Sequence, residues 1–171
     1  MNRSCKQVIQ IPKFLHSLTV LSSFKHGNHS NQELDRLRKY VRSNSREYLR
    51  LIQEYGDAQV QSELVNVEYG RMMAVSFSTA GGIDEEDDDE IRSELNCICY
   101  FLREQLEGRN AYQPFFQPLP LLARMSAEQI EEEGGNEEIE SQLNSNGNNG
   151  SIKYYTKYAK AVILNHFIDR R

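Results

Sequence analysis

Residues 33–55 read ELDRLRKYVRSNSREYLRLIQEY, and this stretch decides the fold. Leu34, Leu37, Val41, Tyr48, Leu51 and Tyr55 recur in alternating steps of three and four, with Asn44 in the one remaining slot. Three heptads of apolar a and d positions make an amphipathic α-helix. A single Asn on such a stripe fixes register or partner number at a cost in stability. Ser30 or Asn31 can cap the start, and Gly56 interrupts the end. Ala58, Val65, Tyr69 and Met72 continue the rhythm, so Gly56 reads either as a turn or as a flaw inside one longer helix.

The same stretch carries a second pattern. Arg38, Arg42, Arg46 and Arg50 stand at four-residue steps and form one drifting ridge, broadened by Lys39. Guanidinium forks suit carboxylate and phosphate, which makes the ridge a candidate grip for an acidic protein surface, nucleic acid or acidic lipid. The plainer reading is a solvated face opposite the Leu/Val/Tyr stripe, with Arg50 and Glu54 placed to pair along the helix.

Beyond this helix, charge is sorted into blocks. Residues 1–56 hold 10 Lys/Arg against 4 Asp/Glu, residues 57–150 hold 5 against 20, and residues 151–171 hold 5 against 1. Such sorting points to electrostatic partnering, within the molecule or with another. The seven acids Asp84 to Glu90 exceed what one helix end uses. They read as a solvated loop over residues 78–90, or as a tract that folds back to mask the arginine ridge. The tract lacks the alternating spacing and turn glycine of a calcium loop. Cys97 and Cys99 lie about 200° apart on a helix and cannot clasp one ion together, and His26 and His29 would join them only by chance. No metal or cofactor is expected.

A chain of 171 residues fits a single helical domain over 1–171, with a mobile Asn/Gly loop at 144–150. No apolar run approaches the roughly 20 residues of a membrane span. Three cysteines and the lack of a secretory leader suit a reducing compartment, cytoplasm or nucleus. Residues 1–32 contain no acid, which also fits a mitochondrial presequence. The competing reading is a core helix, because Ile11, Phe14, Leu15, Leu18 and Leu21 follow Pro12 at helical spacing.

Further helices are expected over 57–77, with Gly70 a weak point, and from Ile91 to Gly108. Ser126 opens another with capping-box spacing, and 151–169 forms the last. β signals are sparse. The composite is all-α, an irregular helical bundle of about five or six helices. Gly134-Gly135 leads to Ile139 and Leu143, then a loop, then a helix with Ala159, Val162, Ile163 and Asn165. That order resembles the helix–loop–helix rhythm of armadillo-type repeats, faintly repeated by Gly81-Gly82-Ile83 before the 91–106 helix. The resemblance implies a short armadillo/HEAT-like α-solenoid as the alternative architecture.

No phosphate loop, dinucleotide fingerprint, zinc-protease motif or nucleophile elbow is present, so enzyme activity is not expected. His166 reads as a boundary core residue. Prolines at 114, 118 and 120 make Tyr112–Leu122 an extended hydrophobic connector. Tyr112, Phe115 and Phe116 then either strap across the helices or dock in a partner's groove. Together these features predict a non-enzymatic adaptor or complex subunit that binds a partner protein through the 34–55 heptad face, the arginine ridge or the aromatic connector. Its partner-binding residues would be Arg38, Arg42, Arg46, Arg50, Asn44, Tyr112, Phe115 and Phe116. The alternatives are a nucleic-acid-associated protein using the basic 36–50 helix, and a mitochondrial assembly factor.

Overall fold

The computed structural model describes residues 7, 9–11, 13–23, 32–79, 88–110, 114–144 and 150–168. Among them run eight helices: α1 (Phe14–Ser22), α2 (Gln32–Tyr55), α3 (Ala58–Asn66), α4 (Tyr69–Thr79), α5 (Asp88–Glu107), α6 (Pro120–Glu132), α7 (Gly135–Asn144) and α8 (Gly150–Ile168). The chain is an all-α bundle. None of these helices is long and apolar enough to cross a membrane.

Helix α5 lies along α8, α4 along α6, and α7 against α8, while α1 and α2 pair on one side. The core these helices share is built from Leu49, Leu64, Met73, Phe77, Leu95, Ile98, Phe101, Ile130 and Ile139. Tyr69 enters it edge-on to Phe101, with ring centroids 5.1 Å apart. Its hydroxyl is satisfied by the Gln53 side chain at 3.1 Å, as a buried phenol requires.

The corner after α2 is a turn. A Cβ on Gly56 would lie 2.3 Å from Val60 Cγ1 and 2.6 Å from the Ile52 carbonyl oxygen, so only glycine fits there. Asp57 then caps α3, its carboxylate accepting from the Val60 amide at 3.2 Å.

Three local expectations are corrected. The 57–77 helix is two helices, and the break falls at Val67–Glu68 rather than at Gly70. Glu68 adopts a left-handed φ of 59°, which turns the chain without glycine or proline to announce it. Leu121 and Leu122 belong to α6 and not to an extended connector, because Pro120 at the helix start carries the φ a first turn needs. Ser126 consequently sits inside α6, fully buried, and donates to the Gln105 side chain at 2.9 Å instead of capping. These breaks and fusions give eight helices where five or six were expected.

The expected acidic loop shrinks at both ends, since α4 runs to Thr79 and α5 begins at Asp88. Residues 80–87, holding Asp84–Asp87, lie outside the described residues, as do 145–149 of the Asn/Gly loop. So do Cys5, His26, His29, Tyr112, both capping candidates of α2, and residues 24–31 of the acid-free N-terminal segment.

Candidate functional site

Helix α2 has two faces, and their orientation is the reverse of the simplest sequence reading. The row turned toward the body is Asp35, Arg38, Arg42, Ser45, Leu49 and Ile52, with Gln53 beside it. That row is the heptad stripe displaced by one residue, a rotation of about 100°. Leu49 is 0% exposed and Arg42 only 8%. The heptad stripe points the other way: Leu34, Leu37, Val41, Tyr48 and Tyr55 are exposed, and so is Tyr40 at 67%.

Each arginine of the ridge has a structural position. Arg38 pairs with Asp35 at 3.2 Å, one turn earlier. Arg42 is buried. Arg46 pairs with Glu94 of α5 at 3.6 Å and donates from Nε toward the Ser22 carbonyl that ends α1, at 3.4 Å. Arg50 bridges Glu47 at 2.7 Å and Glu54 at 3.0 Å. Its guanidinium holds the Glu47 carboxyl below the usual range. Long aliphatic stems let arginines line a packed face while their heads reach carboxylates and helix-end carbonyls. Of the ridge, Arg46 ties α2 to α1 and α5. A carboxylate of the acidic middle does meet it, Glu94 with Arg46, while the side chains of the Asp84–Glu90 tract lie outside the described residues.

Asn44 keeps its place in the outward stripe. Its amide donates to the Tyr40 carbonyl at 2.7 Å, which leaves its side-chain oxygen available on the same surface. The aromatic connector divides. Phe116 is 4% exposed and packs against the Arg109 guanidinium, 4.8 Å from ring centroid to carbon, whereas Phe115 is 61% exposed.

Sequence reasoning missed Arg109. It is 4% exposed and donates to the Gly56 carbonyl at 2.6 Å, the Gln53 carbonyl at 2.8 Å and the Glu104 carboxylate. Its amide meets the Phe116 carbonyl at 2.9 Å in an isolated bridge. The guanidinium thereby closes the last turn of α2, where carbonyls lack helical partners, and ties that end to α5 and the connector. The only sequence signal was position: an arginine directly after Gly108, and glycine commonly ends a helix.

Between α2 and α5 runs a groove of about 580 Å³, lined among others by Arg50, Glu54, Cys97, Tyr100, Arg103 and Glu104. Its charges are already engaged. Arg103 donates to the Tyr158 hydroxyl at 3.0 Å and lies over the Tyr100 ring. Burial pushes the Cys97 and Cys99 thiols up to about 12, so both stay protonated at neutral pH and are poor nucleophiles. Among the described residues no group of three His, Cys, Asp or Glu side chains is placed to hold a metal ion. The surface that stands apart chemically is the outward stripe of α2. No protein-family model matches the chain, and no curated protein or solved structure is significantly similar to it.

Proposed function

We propose that this chain is a non-enzymatic helical adaptor or complex subunit that engages another protein surface through the outward face of α2. One observation carries the reading. Five large apolar residues of the heptad stripe of α2, Leu34, Leu37, Val41, Tyr48 and Tyr55, with Tyr40 beside them, are each 38–67% exposed. Scattered apolar residues on a surface need no explanation, but a contiguous row at heptad spacing is the form a helix takes when a second helix covers it. Phe115 adds an exposed aromatic on the connector.

Arg46 supports this reading by tying α2 to α1 and α5, which holds the opposite face in place. That weighs against nucleic acid as the ligand. Phosphate contacts need cations at the surface, and Arg42 and Arg46 are mostly buried, with Arg46 committed to Glu94. A cytoplasmic or nuclear location goes with the adaptor reading, and a mitochondrial one would rest on the acid-free N-terminal segment alone.

The test is substitution of the exposed stripe. Leu37→Glu combined with Tyr48→Glu should leave the helical circular-dichroism spectrum unchanged and remove the association, whether with itself or with a co-purifying protein. Identical association in wild type and variant, or turnover of a substrate by the purified chain, would overturn the reading.

A further inference from the structure

We propose that the surface covering the outward stripe of α2 is α2 of a second copy, packed antiparallel about a two-fold axis passing near Arg42–Ser43. This rests on the docking reading above and names its occupant. In an antiparallel pairing of heptads, a positions face d positions. Centring the two-fold between residues 42 and 43 places Leu34 against Leu51 of the second copy, Leu37 against Tyr48, and Val41 against Asn44. The stripe is thus self-complementary: the large residues meet at the flanks, and the smaller ones meet at the middle.

Asn44 fits this arrangement in a way a purely apolar residue would not. The two Asn44 side chains fall in the two central layers, about 4.5 Å apart along the axis by helical rise. Each carries a side-chain oxygen with no partner among the described residues, while its amide is used on the Tyr40 carbonyl. Across the two-fold the side chains can satisfy each other, and a slip of register would bury an unsatisfied amide instead.

Opposed helix dipoles favour the antiparallel direction. The area suffices as well. Exposures of 38–67% over six large side chains amount to roughly 500 Å² per copy, or about 1,000 Å² for the pair, the lower end of specific interfaces.

The experiment is sedimentation equilibrium of the full chain over about 1–100 µM, with circular dichroism as the fold control. Wild type should weigh twice the 19.8 kDa of one chain, which needs no variant. Leu37→Glu, present twice per dimer, should raise the dissociation constant about 100-fold or more while helicity is retained. In a Cys5→Ser background, a Leu37→Cys chain mixed with a Tyr48→Cys chain should form the mixed disulfide in preference to either like pair. Preferred like pairs would mean parallel packing and overturn the proposal, as would a dimer indifferent to Leu37→Glu. A monomer throughout that range also overturns it. If that monomer still loses a foreign partner on Leu37→Glu, the adaptor reading stands without self-pairing. If it loses nothing, both fail.

Discussion

Replacing Arg109 by Met removes the clamp on the end of α2 and keeps most of the side-chain volume. The wild-type guanidinium satisfies two carbonyls, of Gly56 and Gln53, and the Glu104 carboxylate, and only 4% of the residue is exposed. Removing one partner of a buried charge pair costs about 3–5 kcal/mol, because the other charge is left without compensation. The stranded Gly56 carbonyl adds about 1 kcal/mol, whereas the Gln53 carbonyl keeps the Gln61 side-chain amide at 2.9 Å, and contributions within one network do not add fully. Partial relaxation of Glu104 toward the neighbouring groove offsets some of this, and the expected loss is about 4 kcal/mol. For a chain of this size that is a fall of roughly 8–16 °C in the thermal midpoint. Urea titration at neutral pH, followed by circular dichroism, reads the same quantity through the midpoint. Arg109→Lys keeps the charge but cannot fork to three acceptors, and should lose about half as much. Adding Glu104→Gln to Arg109→Met should recover part of the loss. A loss below about 1 kcal/mol for Arg109→Met would show that the clamp is a surface ornament and that the end of α2 is held by apolar packing alone.

Gly56→Ala should destabilise by about 2 kcal/mol or more, since its Cβ would meet Val60 and the Ile52 carbonyl well inside contact distance; a urea midpoint within error of wild type would refute the turn. Glu68→Gly should stabilise by about 1 kcal/mol, as glycine adopts the left-handed φ of 59° without penalty, and the ion pair it gives up with Arg71 is exposed; a lower thermal midpoint would contradict this. Burial raises both thiols from an ordinary 9.0 to about 12. Their contribution to stability is therefore complete below pH 9 and lost as pH rises toward 12. Thermal midpoints measured across that window should fall less steeply in a Cys97→Ala, Cys99→Ala double variant, and equal slopes would rule the thiols out. At neutral pH both should also resist a thiol reagent until the chain is unfolded.

Much of the helical framework was legible because its periodicity is strong. The heptad rhythm of 33–55 ends at Tyr55, and Ile91, Leu95, Ile98 and Leu102 outline α5. The boundary at Val67–Glu68 was hidden because a non-glycine residue takes the left-handed conformation there. Ser126 imitated a cap by spacing alone, while Pro120 six residues earlier had already started the helix.

The orientation of α2 was the larger misdirection. Two rows at heptad spacing run along it, one residue out of phase, and the more apolar row is the natural choice for the core. The structure buries the other, because Leu49 and Ile52 anchor it and Arg46 finds acceptors at Ser22 and Glu94. Those acceptors lie 24 and 48 residues away along the chain, beyond any local pattern. Arg109 was illegible for the same reason, since its three acceptors come from the end of α2 and from α5.

The most direct measurement compares two single charges placed on opposite sides of α2, Leu37→Glu and Leu49→Glu, by far-ultraviolet circular dichroism in dilute solution. Leu37→Glu should keep the helical spectrum, and Leu49→Glu should lose it, because a carboxylate at a fully buried site has no partner to offset its desolvation. The opposite result, a folded Leu49→Glu chain and an unfolded Leu37→Glu chain, would mean that the heptad stripe is core and that this protein offers no such face to a partner.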